Sequence, residues 1–376
     1  MLLTIIVFLL ILSLLVFVHE LGHFIVAKKM GVAVEEFGIG FPPRALSVKR
    51  GETTYSLNWV PLGGFVKIKG QDGELANEPD SFASKKIWQR TLILASGVTM
   101  NALLTIILVS IGFMIGLPQI IDNGPDKYAL VTNKQVQIYD VNILLDSPAK
   151  KADLRMADVI QAFNGEKIEN ISQLKEKMAK NEGQTVNLTI KRGSEILNKE
   201  VTPEKLTINQ EQIVGVGISL AETALVSYPW YIAIYKGFIT TINLIVTIIL
   251  AFYEAIKGLI IGHPLAVEVA GPVGIAALTG QMVNLGLIYI LQFTALLSLN
   301  LAIINFLPFP ALDGGRVLFI IIEKIRGRAV SQKIESLVHN IGFAILMILI
   351  LLITFRDLSR FQSQFLNAFH KLSNFF

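Results

Sequence analysis

Two imidazoles and a carboxylate interrupt an apolar run at the start of this chain. Met1 to Val18 carry no charged side chain, and His19-Glu20-Leu21-Gly22-His23 follow directly. Ionisable groups at membrane depth are costly and are functional candidates by default. Residues four apart on a helix share a face, so His19 and His23 point the same way. This is the H-E-x-x-H arrangement: two nitrogen donors for zinc, with Glu20 placed to act as general base. Read instead as ordinary core histidines, the pair would leave that carboxylate without a partner in an apolar setting. His263, His339 and His370 stand alone in the sequence and read as interfacial or loop residues.

Composition narrows the class. The chain is 52% hydrophobic and 16% charged, whereas soluble domains carry about a quarter charged residues. It has no cysteine, which excludes disulfides and thiolate ligands. Any zinc must therefore use nitrogen and oxygen donors. A net charge of +4 makes no case for nucleic acid; the basic residues need no partner beyond the surface of a lipid bilayer. The N-terminal run lacks a basic n-region and a small-residue cleavage site, so it reads as a retained transmembrane helix rather than a secretion signal.

A span needs ~20 apolar residues. Four segments qualify, at about 2–26, 91–117, 286–308 and 338–356. A shorter candidate, 237–253, lies between Lys236 and Glu254. Residues 32–70 alternate in the manner of strands at Ala45–Lys49 and Thr54–Trp59, with Arg50-Gly51 between them, and read as a β-hairpin. Residues 71–90 read as an aqueous connector, with a helix from Ser84. Three regions follow: an N-terminal membrane core (1–121), one soluble domain (122–222) and a C-terminal membrane core (223–376). In the soluble domain, strand-like runs at Val136–Val141, Val159–Phe163 and Thr185–Ile190 alternate with a helix-like run at Ile171–Ala179. Its stretch Ser147-Pro148-Ala149-Lys150-Lys151-Ala152-Asp153-Leu154, followed by Asp158-Val159-Ile160 and Asn164-Gly165, resembles a PDZ domain. PDZ domains usually show Gly where Asp153 stands and Pro-Gly where Met156-Ala157 stand. The resemblance implies a fold that can receive a peptide by strand addition; a spacer or steric plug is the alternative.

A catalytic zinc site needs a third protein ligand and an open position. Asp313 is the only acid between Glu268 and Glu323. It sits just past the third span in Asn305-Phe306-Leu307-Pro308-Phe309-Pro310-Ala311-Leu312-Asp313-Gly314-Gly315. The prolines stop the helix and the glycines free the backbone beyond it. Broken helices at membrane depth are tolerated where they line a polar cavity. A helix-ending turn with Asp313 as a cap is the competing reading.

Together, H-E-x-x-H in the first span, N-x-x-P-x-P-x-L-D-G-G at the third and a PDZ-like insert resemble the bacterial site-2 proteases, the RseP-like zinc intramembrane metalloproteases. The resemblance runs nearly end to end. It implies that His19, His23 and Asp313 hold Zn2+, that Glu20 is the catalytic base, and that Asn305 holds substrate backbone. The family's second span usually carries G-P-x-x-N. Here Gly97-Val98-Thr99-Met100-Asn101 lacks the proline. Asn101 is implied to bind substrate, with a polar contact between helices as the alternative.

The fold expected is a polytopic α-helical membrane protein with about four transmembrane helices, a membrane-associated β-hairpin and one extracytoplasmic PDZ-like α+β domain. The activity implied is zinc-dependent endoproteolysis within the membrane. Its substrates would be single-span membrane proteins such as anti-sigma factors or remnant signal peptides. A non-catalytic membrane adaptor that binds peptides through its PDZ-like domain is the alternative. A transporter with a broken helix would show an internal repeat, and none is evident. For the donors to meet at one zinc, spans one and three must run in the same direction. The stretch about 230–262 is therefore expected to be interfacial or re-entrant. Basic residues in 27–50 and 316–335 assign those loops to the cytoplasm, as a multi-pass protein of the bacterial cytoplasmic (inner) membrane.

Overall fold

The computed structural model describes residues 2–71, 75, 77–121, 127–140, 147–193, 195–208, 211–262 and 270–373. The first helix, α1 (Leu2–Lys29), is unbroken because no Gly or Pro interrupts it before Gly22. Lys28 and Lys29 complement the dipole of its last turn, and Gly31 leaves it at φ +67°. Two long strands follow, β1 (Val34–Arg50) and β2 (Thr53–Ile68), with Gly51 at φ +64° in the turn. Each strand bends midway, near Pro42-Pro43 and Pro61. The register pairs Val48 with Tyr55, then Phe37 with both Tyr55 and Val66. The segments therefore lie side by side in the order 44–50, 53–60, 34–41, 63–68. This is more sheet than the expected hairpin. Leu46, Val48 and Trp59 stand exposed on it, as a lipid-facing surface would.

Helix α2 (Ile87–Ile115) begins three residues later than the start expected at Ser84, after a short 3₁₀ turn at Phe82–Ser84. It packs antiparallel to α1: Gly22 lies against Ser96, and His23 bonds Ile93 while His19 faces Asn101. Ala27, Val34, Ile68, Phe82 and Leu94 close a core where α1, the sheet and α2 meet.

The soluble part forms a compact unit of its own. It contains β3 (Leu117–Ile120), β4 (Leu130–Asp140), α3 (Pro148–Lys151), β5 (Val159–Phe163), β6 (Glu166–Lys167), α4 (Ile171–Lys180), β7 (Val186–Arg192), β8 (Glu195–Val201), β9 (Glu204–Ile208), β10 (Glu211–Gly215) and β11 (Ser219–Ser227). The main sheet runs β3-β11-β4-β5-β7-β8. Leu174 and Met178 of α4 pack with Ile138, Ile160, Leu188 and Ile190 of the sheet into one core. Asn170 caps α4 through the Gln173 amide, as its side chain predicts. The expected runs fall on β4, β5, β7 and α4; Val141 lies outside the described residues.

The departures from the usual PDZ pattern have a visible cost and a visible compensation. Asp153 and Ala157 both adopt left-handed φ, +53° and +70°, where glycine is favoured. Asp153 is held by Lys199, Arg155 and Arg192, which keep its carboxyl well below the usual range. Fully buried Asp158 takes two bonds of 2.8 Å from the Arg192 guanidinium and one from the Arg155 amide.

The C-terminal membrane core comprises α5 (Trp230–Ile261), α6 (Pro272–Leu285), α7 (Leu287–Phe306), α8 (Asp313–Arg326) and α9 (Gln332–Ser373). Helix α7 is antiparallel to α2: Ser298 bonds the Asn101 carbonyl and Thr105 bonds that of Ala295. It is therefore parallel to α1, as the ligand argument requires. Helix α9 returns. His339 and Gly342 meet the Pro310–Ala311 turn, and Asp357, farther along, bonds the amides of Gly271 and Gly274 at the start of α6. Gly280 of α6 lies against Thr4 at the start of α1. Among the described residues, five helices are long and apolar enough to cross a membrane: α1, α2, α5, α7 and α9. Helix α5 is a continuous helix of 32 residues, without the internal break of a re-entrant loop.

Candidate metal centre

Asp313 reaches the histidines because the chain breaks where the prolines say it must. Helix α7 stops at Phe306, six residues turn back, and Asp313 opens α8. Ala311 holds φ +77° in that turn and gives its amide to His339 Nδ1 at 2.9 Å. A side chain at Gly314 would collide with the carbonyls of Phe306 and Leu307, so only glycine lets the turn close. The N-cap position is Leu312, which has no side-chain capping bond, and Asp313 stands first in the helix. Its carboxylate points at the imidazoles.

The three donors form a tight triangle. His19 Nε2 lies 3.0 Å from Asp313 Oδ2, His23 Nε2 lies 3.3 Å from the same oxygen, and the two Nε2 atoms are 3.3 Å apart. Zinc bonds of about 2.0–2.1 Å in tetrahedral geometry place ligand atoms about 3.3 Å from one another. His23 Nδ1 donates to the Ile93 carbonyl at 2.8 Å, so its Nε2 presents a bare lone pair. Lone pairs converging at this distance repel unless a cation lies among them. The donor set therefore fits zinc, with one coordination position left open. The histidines are buried, and Asp313 keeps 18% of its side chain exposed.

Glu20 lies beside the ligands, with the backbone of Val66 in β2 near its carboxylate. Asn305, the penultimate residue of α7, brings Nδ2 to 3.4 Å from His19 Nε2. Asn101 is fully buried behind the His19 ring, with Nδ2 3.5 Å from Nδ1. Its side chain is enclosed between α1 and α2 rather than exposed. His339 lies in α9 and accepts the Ala311 amide of the turn before Asp313; His263 lies outside the described residues.

Two site residues escaped the sequence reading in their actual role. A Cβ on Gly97 would overlap His23 Nε2 and His19 Cε1, and one on Gly22 would overlap the Ser96 carbonyl. These glycines set how closely α1 and α2 approach. Their signal was a glycine inside each of two otherwise apolar spans, where small residues mark helix contacts.

A zinc centre sunk between parallel membrane helices, with a glutamate beside it, defines an intramembrane metalloendopeptidase of the site-2 type. The model of peptidase family M50 matches residues 7–349, and the chain belongs to that family. A Clostridium perfringens relative is 36% identical over 348 residues, covering 92% of this chain and 96% of that protein. The regulator of sigma-W protease RasP of Bacillus subtilis is 30% identical over 438 residues, covering 95% of this chain and 98% of its own. The zinc metalloprotease RasP of Geobacillus kaustophilus is also 30% identical, over 447 residues, with 95% and 98% covered. Among solved structures, the PDZ domain of an SdrC-like protein from Listeria monocytogenes matches at 22% identity and a TM-score of 0.21, covering 24% of this chain and 92% of that one.

Proposed function

We propose that this protease cleaves transmembrane segments of single-span membrane proteins, anti-sigma factors or remnant signal peptides among them, with His19, His23 and Asp313 as zinc ligands. The observation that carries this reading is the donor triangle, assembled from opposite ends of the chain at membrane depth. Bound zinc supplies Lewis-acid activation of water and of the scissile carbonyl. Glu20 takes the proton of the attacking water and delivers it to the leaving amine. The Asn305 amide, beside the open position, donates to the substrate carbonyl as negative charge develops there.

A substrate helix in lipid has its carbonyls bonded to its own amides, so it must unwind before attack. Among the described residues, the 63–68 segment pairs with 34–41 alone, and the Val66 backbone lies near Glu20. That edge supports a role in pairing with the unwound substrate next to the catalytic carboxylate. In the PDZ-like domain, a cavity of about 80 Å³ lies between α4, the β9–β10 hairpin and the start of β11, lined by Leu174, Met178, Leu206, Ile213 and Leu220, and supports peptide binding there.

The charge bias of 27–50 and 316–335 supports a cytoplasmic face for those loops in the bacterial inner membrane and an outer position for the PDZ-like domain. Helix α5 is then interfacial. It leads into α6, whose Gly271, Gly274 and Gly280 lie level with Asp357 and Thr4, at the outer end of the bundle.

The test is Glu20→Gln in purified full-length protein with a membrane-embedded reporter. Cleavage should fall by at least about a hundredfold, the scale of lost general acid–base catalysis, while bound zinc stays stoichiometric. Undiminished cleavage would remove Glu20 from the mechanism. Absence of cutting by folded, zinc-loaded wild type against every single-span reporter would favour the adaptor.

A further inference from the structure

We propose that Asn101 is the positioning residue of His19: its side-chain oxygen accepts the Nδ1–H of that ring and fixes the angle at which Nε2 meets the metal. The inference rests on the ligand role given to His19 and assigns a new role to the second span.

The argument begins with the face of α2. Ile93, Gly97 and Asn101 are spaced four apart and form one stripe toward α1. Each does something to the imidazoles. The Ile93 carbonyl accepts from His23 Nδ1 at 2.8 Å. Gly97 has no side chain, and any Cβ there would strike both rings. Asn101, fully buried, faces His19 Nδ1 at 3.5 Å. One helix thus backs both rings, with a separate partner for each.

The chemistry of the ring decides what that partner must do. An imidazole that gives its Nε2 lone pair to a metal carries its proton on Nδ1, and the group behind it must accept. With Nδ2 toward the ring, two donors would confront each other. In that orientation Asn101 Oδ1 is also buried without a hydrogen-bond partner among the described residues. Reversing the amide places Oδ1 opposite Nδ1–H and turns the donor–donor clash into a hydrogen bond.

The residue is also anchored. Its carbonyl accepts from Thr105 Oγ1 at 3.0 Å and from Ser298 Oγ at 2.8 Å, which ties this point of α2 to α7. A side chain fixed at its root and enclosed on all sides cannot reach a substrate. It can hold a ring.

The experiment measures zinc affinity of the full-length protein in detergent by competition with a chromogenic chelator. Asn101→Leu keeps the bulk and removes the acceptor; Asn101→Asp keeps an acceptor. Loss of an outer-shell partner costs about 10–100-fold in metal affinity, and that is the loss expected for N101L, with N101D close to wild type. Cobalt(II) in place of zinc should show altered d–d bands in N101L, a change that a purely structural residue would not cause. If N101L does not fold, Asn101→Ala replaces it with the same expectation. Wild-type affinity in N101L, or a loss in N101D as large as in N101L, overturns the proposal. A His19→Ala control separates the two layers: if it binds zinc as wild type does, the ligand assignment itself fails.

Discussion

At the scale of single residues, the centre depends as much on atoms that are absent as on those that coordinate. Gly97 is the clearest case, because its missing Cβ is the space the imidazoles occupy. Gly97→Ala should reduce bound zinc by at least about tenfold, measured by elemental analysis, with helix content by circular dichroism unchanged. Full zinc occupancy in that variant would mean that α2 can shift away without cost. Strain elsewhere points the other way. Exposed Ala157 holds φ +70°, a conformation costing an L-residue about 1–2 kcal/mol. Glycine removes that strain but gains freedom in the unfolded chain. The net expectation for Ala157→Gly is stabilisation of the PDZ-like domain by about 0.5–1 kcal/mol, read from the denaturant midpoint.

At the scale of elements, what could be read in advance followed from uninterrupted patterns. The apolar runs located α1, α2 and α7 to within about four residues at each end, because nothing competes with helix formation in lipid, while α9 extends well past the expected 338–356 into polar sequence. His19, His23 and Asp313 were legible because H-E-x-x-H and a lone acid after a proline break are rare in such runs. The sheet of β1 and β2 was only half legible. Gly38, Gly40, Gly63 and Gly64 weaken a strand pattern, yet they lie within strands, where neighbouring backbone or side chains press against them. The partner of α6 could not be foreseen at all. Asp357, 4% exposed, receives the Gly271 and Gly274 amides at 2.9 and 2.7 Å from 86 and 83 residues away. It is a helix cap supplied by another helix. Asp357→Ala leaves buried amides without an acceptor and should cost about 1–3 kcal/mol, seen as faster hydrogen exchange at Gly271 and Gly274. Unchanged exchange would show that another group takes over the cap.

At the scale of the whole molecule, the parallel run of α1 and α7 makes the membrane topology testable. The chain has no native cysteine, so single introduced cysteines report cleanly on which side they face. Labels at 27–50 and 316–335 should react from the cytoplasm and labels at 147–193 from the opposite side. Both ends of α5 should react from that opposite side as well. Reaction of the α5 C-terminus from the cytoplasm would make it a full span. The position of His19 along α1 carries a consequence of its own. Ten residues separate it from Lys29, the last of the helix, a rise of about 15 Å at 1.5 Å per residue. That is half the ~30 Å thickness of the hydrocarbon layer. On the proposed reading, with Lys29 at the boundary of the hydrocarbon layer, a substrate helix severed at this depth would leave stubs of about ten residues each, neither long enough to stay anchored. Detachment of both products from the bilayer would then follow from where along α1 the first histidine stands.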